Sequence, residues 1–210
     1  MTVTEFCIMQ LKPDATIEEA GSQASETWSK MTTLLKQAPG CLKVFYGRKI
    51  EDSSVGVLCV TWRSYADVQA WSTSPARESF LVGLDALADL ASAHHLNADA
   101  TVALSAPATE VFTGYGAQPG FAGNVAQFAE KLDAEKPTGY YGLAHGEVLE
   151  EISKEEGGEK GKAAKLVIGW ESREAHFEAK GKPGAIANNI GLLRVLQKSA
   201  DLYHVNFKQQ

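Results

Sequence analysis

The chain has 210 residues, 44% of them hydrophobic, and a formal net charge of −6. That balance supports a packed core and excludes nucleic acid as the main partner, because a phosphate-binding face needs clustered Lys and Arg. The N-terminus has no basic segment followed by an apolar run. No window reaches the roughly 20 apolar residues of a membrane span, so no membrane partner and a soluble, cytoplasmic protein are expected.

Residues 4–11 form a β-rich run that Lys12-Pro13-Asp14 ends. Ile17, Ala20, Ala24, Trp28, Met31 and Leu35 then recur at helical spacing, until Ala38-Pro39-Gly40 stops the pattern. Residues 42–50 alternate as a strand, Asp52-Ser53-Ser54 turns the chain, and residues 55–62 are apolar on both faces, as a central strand should be. Ser64 with Asp67 three residues later is a capping-box pattern, and Ser74-Pro75 starts a longer helix with the stripe Phe80, Leu84, Leu87 and Ala91. The adjacent His94 and His95 then fall at a helix C-terminus, and residues 98–104 read as a closing strand. Cys7, Cys41 and Cys59 are scattered, without CxxC spacing, and read as free thiols.

After a linker at Ser105-Ala106-Pro107-Ala108 the order recurs. A strand is expected at 110–116, a helix at 121–135, strands at 140–149 and 164–170, helical segments from Ser172 and from Pro183, and a last strand at 202–207. The charged, Gly-rich stretch 153–162 is an insertion and reads as a solvated loop. Gly40 through Asp52 aligns without gaps on Gly139 through Glu151, and Leu58-Cys59-Val60-Thr61-Trp62-Arg63-Ser64 aligns on Leu166-Val167-Ile168-Gly169-Trp170-Glu171-Ser172. Such internal similarity predicts two copies of one unit, residues 1–105 and 109–210. The order β-α-β-β-α-β is the ferredoxin-like unit, so the fold class is α+β with antiparallel sheets. Each unit leaves one sheet face bare. Laying the two bare faces together closes a barrel-type pseudo-dimer, with a pocket expected between the sheets.

The runs at 57–64 and 166–172, together with Trp71-Ser72-Thr73-Ser74-Pro75-Ala76-Arg77, resemble the dimeric α/β-barrel superfamily, and within it the antibiotic-biosynthesis-monooxygenase-like group. The tandem form resembles proteins of fungal secondary-metabolite pathways. The resemblance implies a small aromatic substrate inside the barrel, with no metal and no organic cofactor. The haem-degrading branch of this group uses an Asn, a Trp and a His. Trp62 and Trp170 match the Trp, but no His lies between Arg63 and Ala93. His176 follows Trp170 without an Asn on the 110–116 strand, so haem degradation is not supported.

No HxH, HExxH, GxSxG or GxGxxG pattern marks a metal site, a hydrolase or a dinucleotide site. The residues expected to face the barrel interior therefore carry the candidate chemistry. Strand parity groups Trp62 with Val60 and Leu58, and Trp170 with Ile168 and Leu166, as apolar pocket walls. Tyr46 and Arg48 of the first copy become His145 and Glu147 in the second, with Tyr141 nearby; His204 and Asn206 pair on the last strand beside Tyr115. His145 or His204 is the expected base, oriented by Glu147 or Asn206, with Tyr46 and Arg48 as oxyanion partners and Tyr115 and Tyr141 lining the substrate. His176 is expected on a helix surface. These readings point to proton transfer on an aromatic polyketide-type phenol, driving a cyclisation or isomerisation. Cofactor-free oxygenation of a phenol and non-catalytic binding of a small molecule are the alternatives. Because the barrel closes equally within one chain or between chains, homo-oligomerisation stays open.

Overall fold

A computed structural model describes all 210 residues. The elements are β1 (Val3–Leu11), α1 (Gln23–Gln37), β2 (Cys41–Arg48), β3 (Val55–Trp62), α2 (Tyr65–Ser72), α3 (Pro75–Leu87), β4 (Ala88–Leu96) and α4 (Thr101–Leu104). They continue with β5 (Ala108–Tyr115), α5 (Phe121–Glu135), β6 (Tyr140–Glu147), β7 (Ala163–Trp170), α6 (Arg173–Gly181), α7 (Ala185–Asn189), a 3-10 turn (Ile190–Leu193), β8 (Ser199–Val205) and β9 (Lys208–Gln209). The sheets run β4-β1-β3-β2-β9 and β6-β7-β5-β8, each a ferredoxin-like order with antiparallel pairing. The chain is thus α+β, built from two such units.

Serine caps set where α1, α2, α3 and α6 start. The Ser25 amide donates to Ser22 Oγ at 3.0 Å, and the Ala175 amide to Ser172 Oγ at 3.1 Å. Asp67 and Ser64 cap one another as the sequence predicts, the Ser64 hydroxyl donating to Asp67 Oδ2 at 2.5 Å. The first helix begins at Gln23, later than its apolar spacing suggests, because Ser22 is the cap and Ile17 is buried ahead of it.

One expected strand is misplaced. The stripe Phe80, Leu84 and Leu87 is helical, but the helix ends at Leu87, and the closing strand is Ala88–Leu96. Residues 98–104 instead hold the short helix α4. The Ala-rich run of β4 favours a helix locally; pairing with β1 along its length overrides that preference. His94 and His95 accordingly sit on a strand, with side chains on opposite faces of the sheet.

The bare faces meet as expected, and most of the space between them is packed. Phe6, Phe45, Val57 and Cys59 of the first sheet interlock with Val111, Val167, Tyr203 and Val205 of the second, and Leu104 of α4 plugs one end. The sheets touch along their margins through bridges Lys49–Val205 and Leu96–Val148. At Gly47 a Cβ would lie 2.5 Å from Val205 Cγ1 and 2.8 Å from the Asn206 carbonyl, so only glycine permits this approach of β2 to the end of β8.

The sequence parity is right, but the face assigned to it is inverted. Leu58, Val60, Trp62, Val44 and Tyr46 pack under α1 and α3, not between the sheets. Leu166, Ile168 and Trp170 likewise pack under α5. Strands β3 and β7 are apolar on both faces, so alternation cannot say which face looks at helices.

Candidate functional site

The site grows from the Trp-x-Ser junction of β7 with α6. Trp170 is the last residue of β7, Ser172 caps α6, and His176 therefore falls in the first helical turn. The helix folds His176 back over Trp170, their rings stacked at 5.4 Å and 23°. Glu110 lies mid-strand on β5, opposite Ile168 on one side and His204 on the other. The indole Nε1–H of Trp170 donates to Glu110 Oε2 at 3.0 Å.

A chain of polar groups leads away from this point. His176 Nε2 is 3.5 Å from Glu110 Oε2, and His176 Nδ1 is 2.8 Å from His204 Nε2. His204 Nδ1 is 2.7 Å from Glu51 Oε1, and the His204 amide donates to Glu51 Oε2 at 2.9 Å. Glu51 follows β2 in the first repeat, so the second repeat's histidines are held by a carboxylate of the first. Glu110, His176 and His204 are each under 10% exposed, whereas Glu51 reaches the surface.

The proton order follows from the acceptor at the end. Glu51, although half-sheltered, is held below the usual carboxylate range by hydrogen bonds from the His204 backbone and ring, which outweigh burial. An ionised Glu51 requires His204 Nδ1–H as donor, which leaves His204 Nε2 to accept from His176 Nδ1–H. His176 Nε2 then carries a lone pair directed at Glu110. Burial, followed by the neighbouring His204, Lys180 and Arg173, lowers His176 to about 4, so its neutral form prevails. Burial raises Glu110 to about 7, against the Trp170 hydrogen bond and the Lys180 charge that favour its ionised form. With His176 near 4 and Glu110 near 7 the proton rests on Glu110, so Glu110 once ionised is the stronger base of the pair and neutral His176 is the group that can relay a proton to His204.

Beside this pair is a cavity of about 210 Å³ between sheet and helices. Phe112, Phe128, Ile168, Ile186 and Leu193 line it, Glu110 and His176 reach into it, and the exposed Lys180 and Arg194 stand at its mouth. An apolar cavity of about 150 Å³ admits benzene, so this one has room for a substituted or fused aromatic ring.

The first repeat builds most of the same frame and leaves out its centre. Trp62 Nε1–H donates to Glu5 Oε2 at 2.8 Å, and Glu150 binds both the His95 amide at 2.8 Å and its Nδ1 at 2.6 Å. Val68 stands where His176 stands in the second repeat, both being four residues past the capping serine. Trp71, Phe80 and Leu84 fill the corresponding space down to about 30 Å³.

Of the residues singled out from sequence, His204 and Trp170 join this site. Trp62 joins the reduced copy. Tyr46 is buried against Trp28, ring centroids 4.4 Å apart, and Arg48 is bound at the sheet edge by Glu18, at 2.8 Å from both Nε and Nη2, and by the Ala15 carbonyl. Tyr46 is thus held under α1 and Arg48 by the segment that precedes it, which leaves neither as an oxyanion partner of His204. His145 is half-buried on the helix face near Glu130, where burial lowers its pKa, and does not line the cavity. Tyr141, Glu147 and Asn206 are exposed, and Tyr115 points between the sheets, away from His204. Glu110, Glu51 and His176 went unrecognised, and His176 is buried instead of lying on a surface. A signal for them exists in the chain: Thr4-Glu5 and Thr109-Glu110 place a carboxylate at the same point of two apolar strands, and Glu51 aligns with Glu150.

No metal constellation is visible in the sequence, yet the tertiary structure assembles one potential donor set. Glu110, His176 and His204 each offer a ligand atom, all within 4.8 Å of one another. Two imidazoles and a carboxylate suit a divalent transition ion. The direct hydrogen bond between the two rings already satisfies both nitrogens that would have to turn toward such an ion.

The fold is a tandem ferredoxin-like barrel with a largely apolar cavity on the helix side of its second sheet. Residues 15–81 match the antibiotic biosynthesis monooxygenase family model, in the first repeat. The resemblance carried by 57–64 is thereby shown. No curated protein matches the chain. Among solved structures, a candidate monooxygenase of Fusobacterium nucleatum superposes with TM-score 0.68 at 11% identity, over 100% of this chain and 94% of that one. A candidate monooxygenase of Lactobacillus acidophilus gives 0.64 at 10% identity, over 99% and 95%. An anthrone oxidase-like protein gives 0.65 at 14% identity, over 99% and 93%. At these identities the likeness is one of fold, and it extends over both repeats.

Proposed function

We propose that the helix-side cavity of the second repeat deprotonates a small phenolic or enolisable aromatic substrate and exposes its anion to dioxygen. The single observation carrying this reading is His176. It is a neutral imidazole whose proton order is set by His204 and Glu51, with its free nitrogen at an apolar cavity. A phenol seated among Phe112, Phe128 and Ile168 gives a proton to His176 Nε2 or to Glu110. The excess proton passes through His204 to Glu51 at the surface. The cations at the mouth, Lys180 and Arg194, favour the anionic ring.

The family model matched by residues 15–81 supports oxygenation as the following step. A ring CH₂ activated by the phenolate yields a carbonyl, one oxygen atom of dioxygen entering the product and the other leaving as water. The substrate carbanion supplies the electrons, so no redox cofactor is required. In this reading residues 1–105 form a structural repeat and residues 109–210 the catalytic one.

The decisive experiment feeds a panel of hydroxylated anthrones, naphthols and related phenols to the protein in an oxygen electrode, with product mass recorded. Uptake of one dioxygen per carbonyl formed is expected. Product without oxygen uptake replaces this reading with cyclisation, which shares the deprotonation. Binding with no turnover replaces it with a non-catalytic receptor.

A further inference from the structure

A second cavity, of about 470 Å³, occupies the barrel end opposite α4, under the hairpin that links β6 to β7. Its wall holds Lys165, which is 1% exposed. No carboxylate lies within ion-pair distance of that ammonium; it donates only to Thr113 Oγ1, at 2.5 Å, and sits 4.8 Å over the Phe6 ring. Two more buried groups in the same wall lack partners: both ring nitrogens of His94, 3% exposed, and the hydroxyl of Tyr203, 4% exposed. Tyr115 also faces this space. Two side chains without hydrogen-bond partners, beside an ammonium without a counter-charge, are costly to bury around one cavity unless something satisfies them.

We propose that this end of the barrel binds a small organic monocarboxylate, its oxygens held by Lys165, Tyr203 and His94. Lys165 supplies the charge, and the other two supply neutral donors to a planar acceptor. Ile8, Ala91 and the Tyr115 ring offer apolar surface for the hydrocarbon part. The rim selects the charge: Glu150, Glu151, Glu155 and Glu156 outnumber Lys154 and Lys160 there, and the net negative entrance disfavours a dianion such as phosphate. Lys49, also on this wall, is directed to Asp201 at 3.8 Å and to the Tyr203 ring at 4.0 Å. The inserted loop at 153–162, read from sequence as a solvated segment, supplies part of the cover.

This site shares no lining residue with the cavity beside His176 except Asp201, which sits between them on β8. Calorimetry on the full chain with benzoate, benzyl alcohol and inorganic phosphate tests it. Benzoate should bind with a dissociation constant below 1 mM, at least about tenfold tighter than benzyl alcohol or phosphate, as a charge-assisted hydrogen bond predicts. Lys165→Met should weaken benzoate at least about tenfold while raising the melting temperature, since a buried unpaired ammonium is removed. Tyr203→Phe should weaken it less, and His176→Val should leave it unchanged. Equal binding of benzoate and benzyl alcohol, tighter binding of phosphate, or benzoate affinity that follows His176 and ignores Lys165 would each overturn the proposal. None of these outcomes bears on phenol turnover, so the two sites fail independently.

Discussion

Glu51 Oε1 lies 2.7 Å from His204 Nδ1, while in the opposite sense Glu150 Oε1 lies 2.6 Å from His95 Nδ1. Each repeat lends the glutamate after its second strand to the last strand of the other. The exchange follows the pseudo-twofold relation of the halves, and it makes the second repeat's acid–base chain dependent on the first repeat's presence.

Both glutamates are held below the ordinary carboxylate value of 4.5 by their histidine hydrogen bonds. Groups lowered on folding add stability above their unfolded pKa and lose it as pH falls through the folded one. Wild type should therefore lose urea stability below about pH 4.5. Glu51→Gln should cost roughly 1–2 kcal/mol at pH 7 and flatten that acid slope. An unchanged slope in Glu51→Gln would show the contact to be dispensable.

His176→Val installs the first repeat's residue at the equivalent point of the second. Turnover of the phenolic substrate should fall about 10²–10⁴-fold, with a melting temperature within a few degrees of wild type. Retention of more than a tenth of the rate would remove His176 from the chemistry.

Glu110 titrates near 7 in the fold and near 4.5 unfolded, so the folded chain holds its proton longer. Stability from this group is greatest below pH 4.5 and is lost as pH rises to 7. Glu110→Gln should gain on the order of 2 kcal/mol over wild type at pH 8 and nothing at pH 4. Chemical denaturation at the two pH values reads the difference directly.

Ala200 lines the candidate cavity from β8. Ala200→Phe should fill it as Trp71 and Phe80 fill the first repeat's counterpart, raising KM for the aromatic substrate at least about tenfold. Circular dichroism should stay native. An unchanged KM would place substrate elsewhere.

Gly47→Ala puts a methyl against Val205 and the Asn206 carbonyl where the two sheets meet. Backbone on the far side cannot yield as a side chain would, so a loss of about 1–3 kcal/mol is expected, with faster amide exchange in β9. Wild-type stability in this variant would mean that the sheet margin is loosely closed.

Local information carries far in this chain. The Trp-Arg-Ser and Trp-Glu-Ser junctions, the Phe121–Glu135 helix and the doubled β-α-β-β-α-β order are all legible, because caps, periodicity and repetition act between residues close in sequence. Tyr46, Arg48 and His145 were drawn toward chemistry by parity, and parity was sound. What it lacked was the side on which helices lie, since strands apolar on both faces look alike from either one.

The meeting of Glu51 with His204, 153 residues apart, and the inward turn of His176 over Trp170 belong to a different level. Which of two matched hollows stays open depends on the bulk of Trp71 and Phe80 against Ile186 and Leu193. Packing of one repeat on the other decides the first of these and packing of helices on each sheet the rest, and neither leaves a periodic trace in the chain.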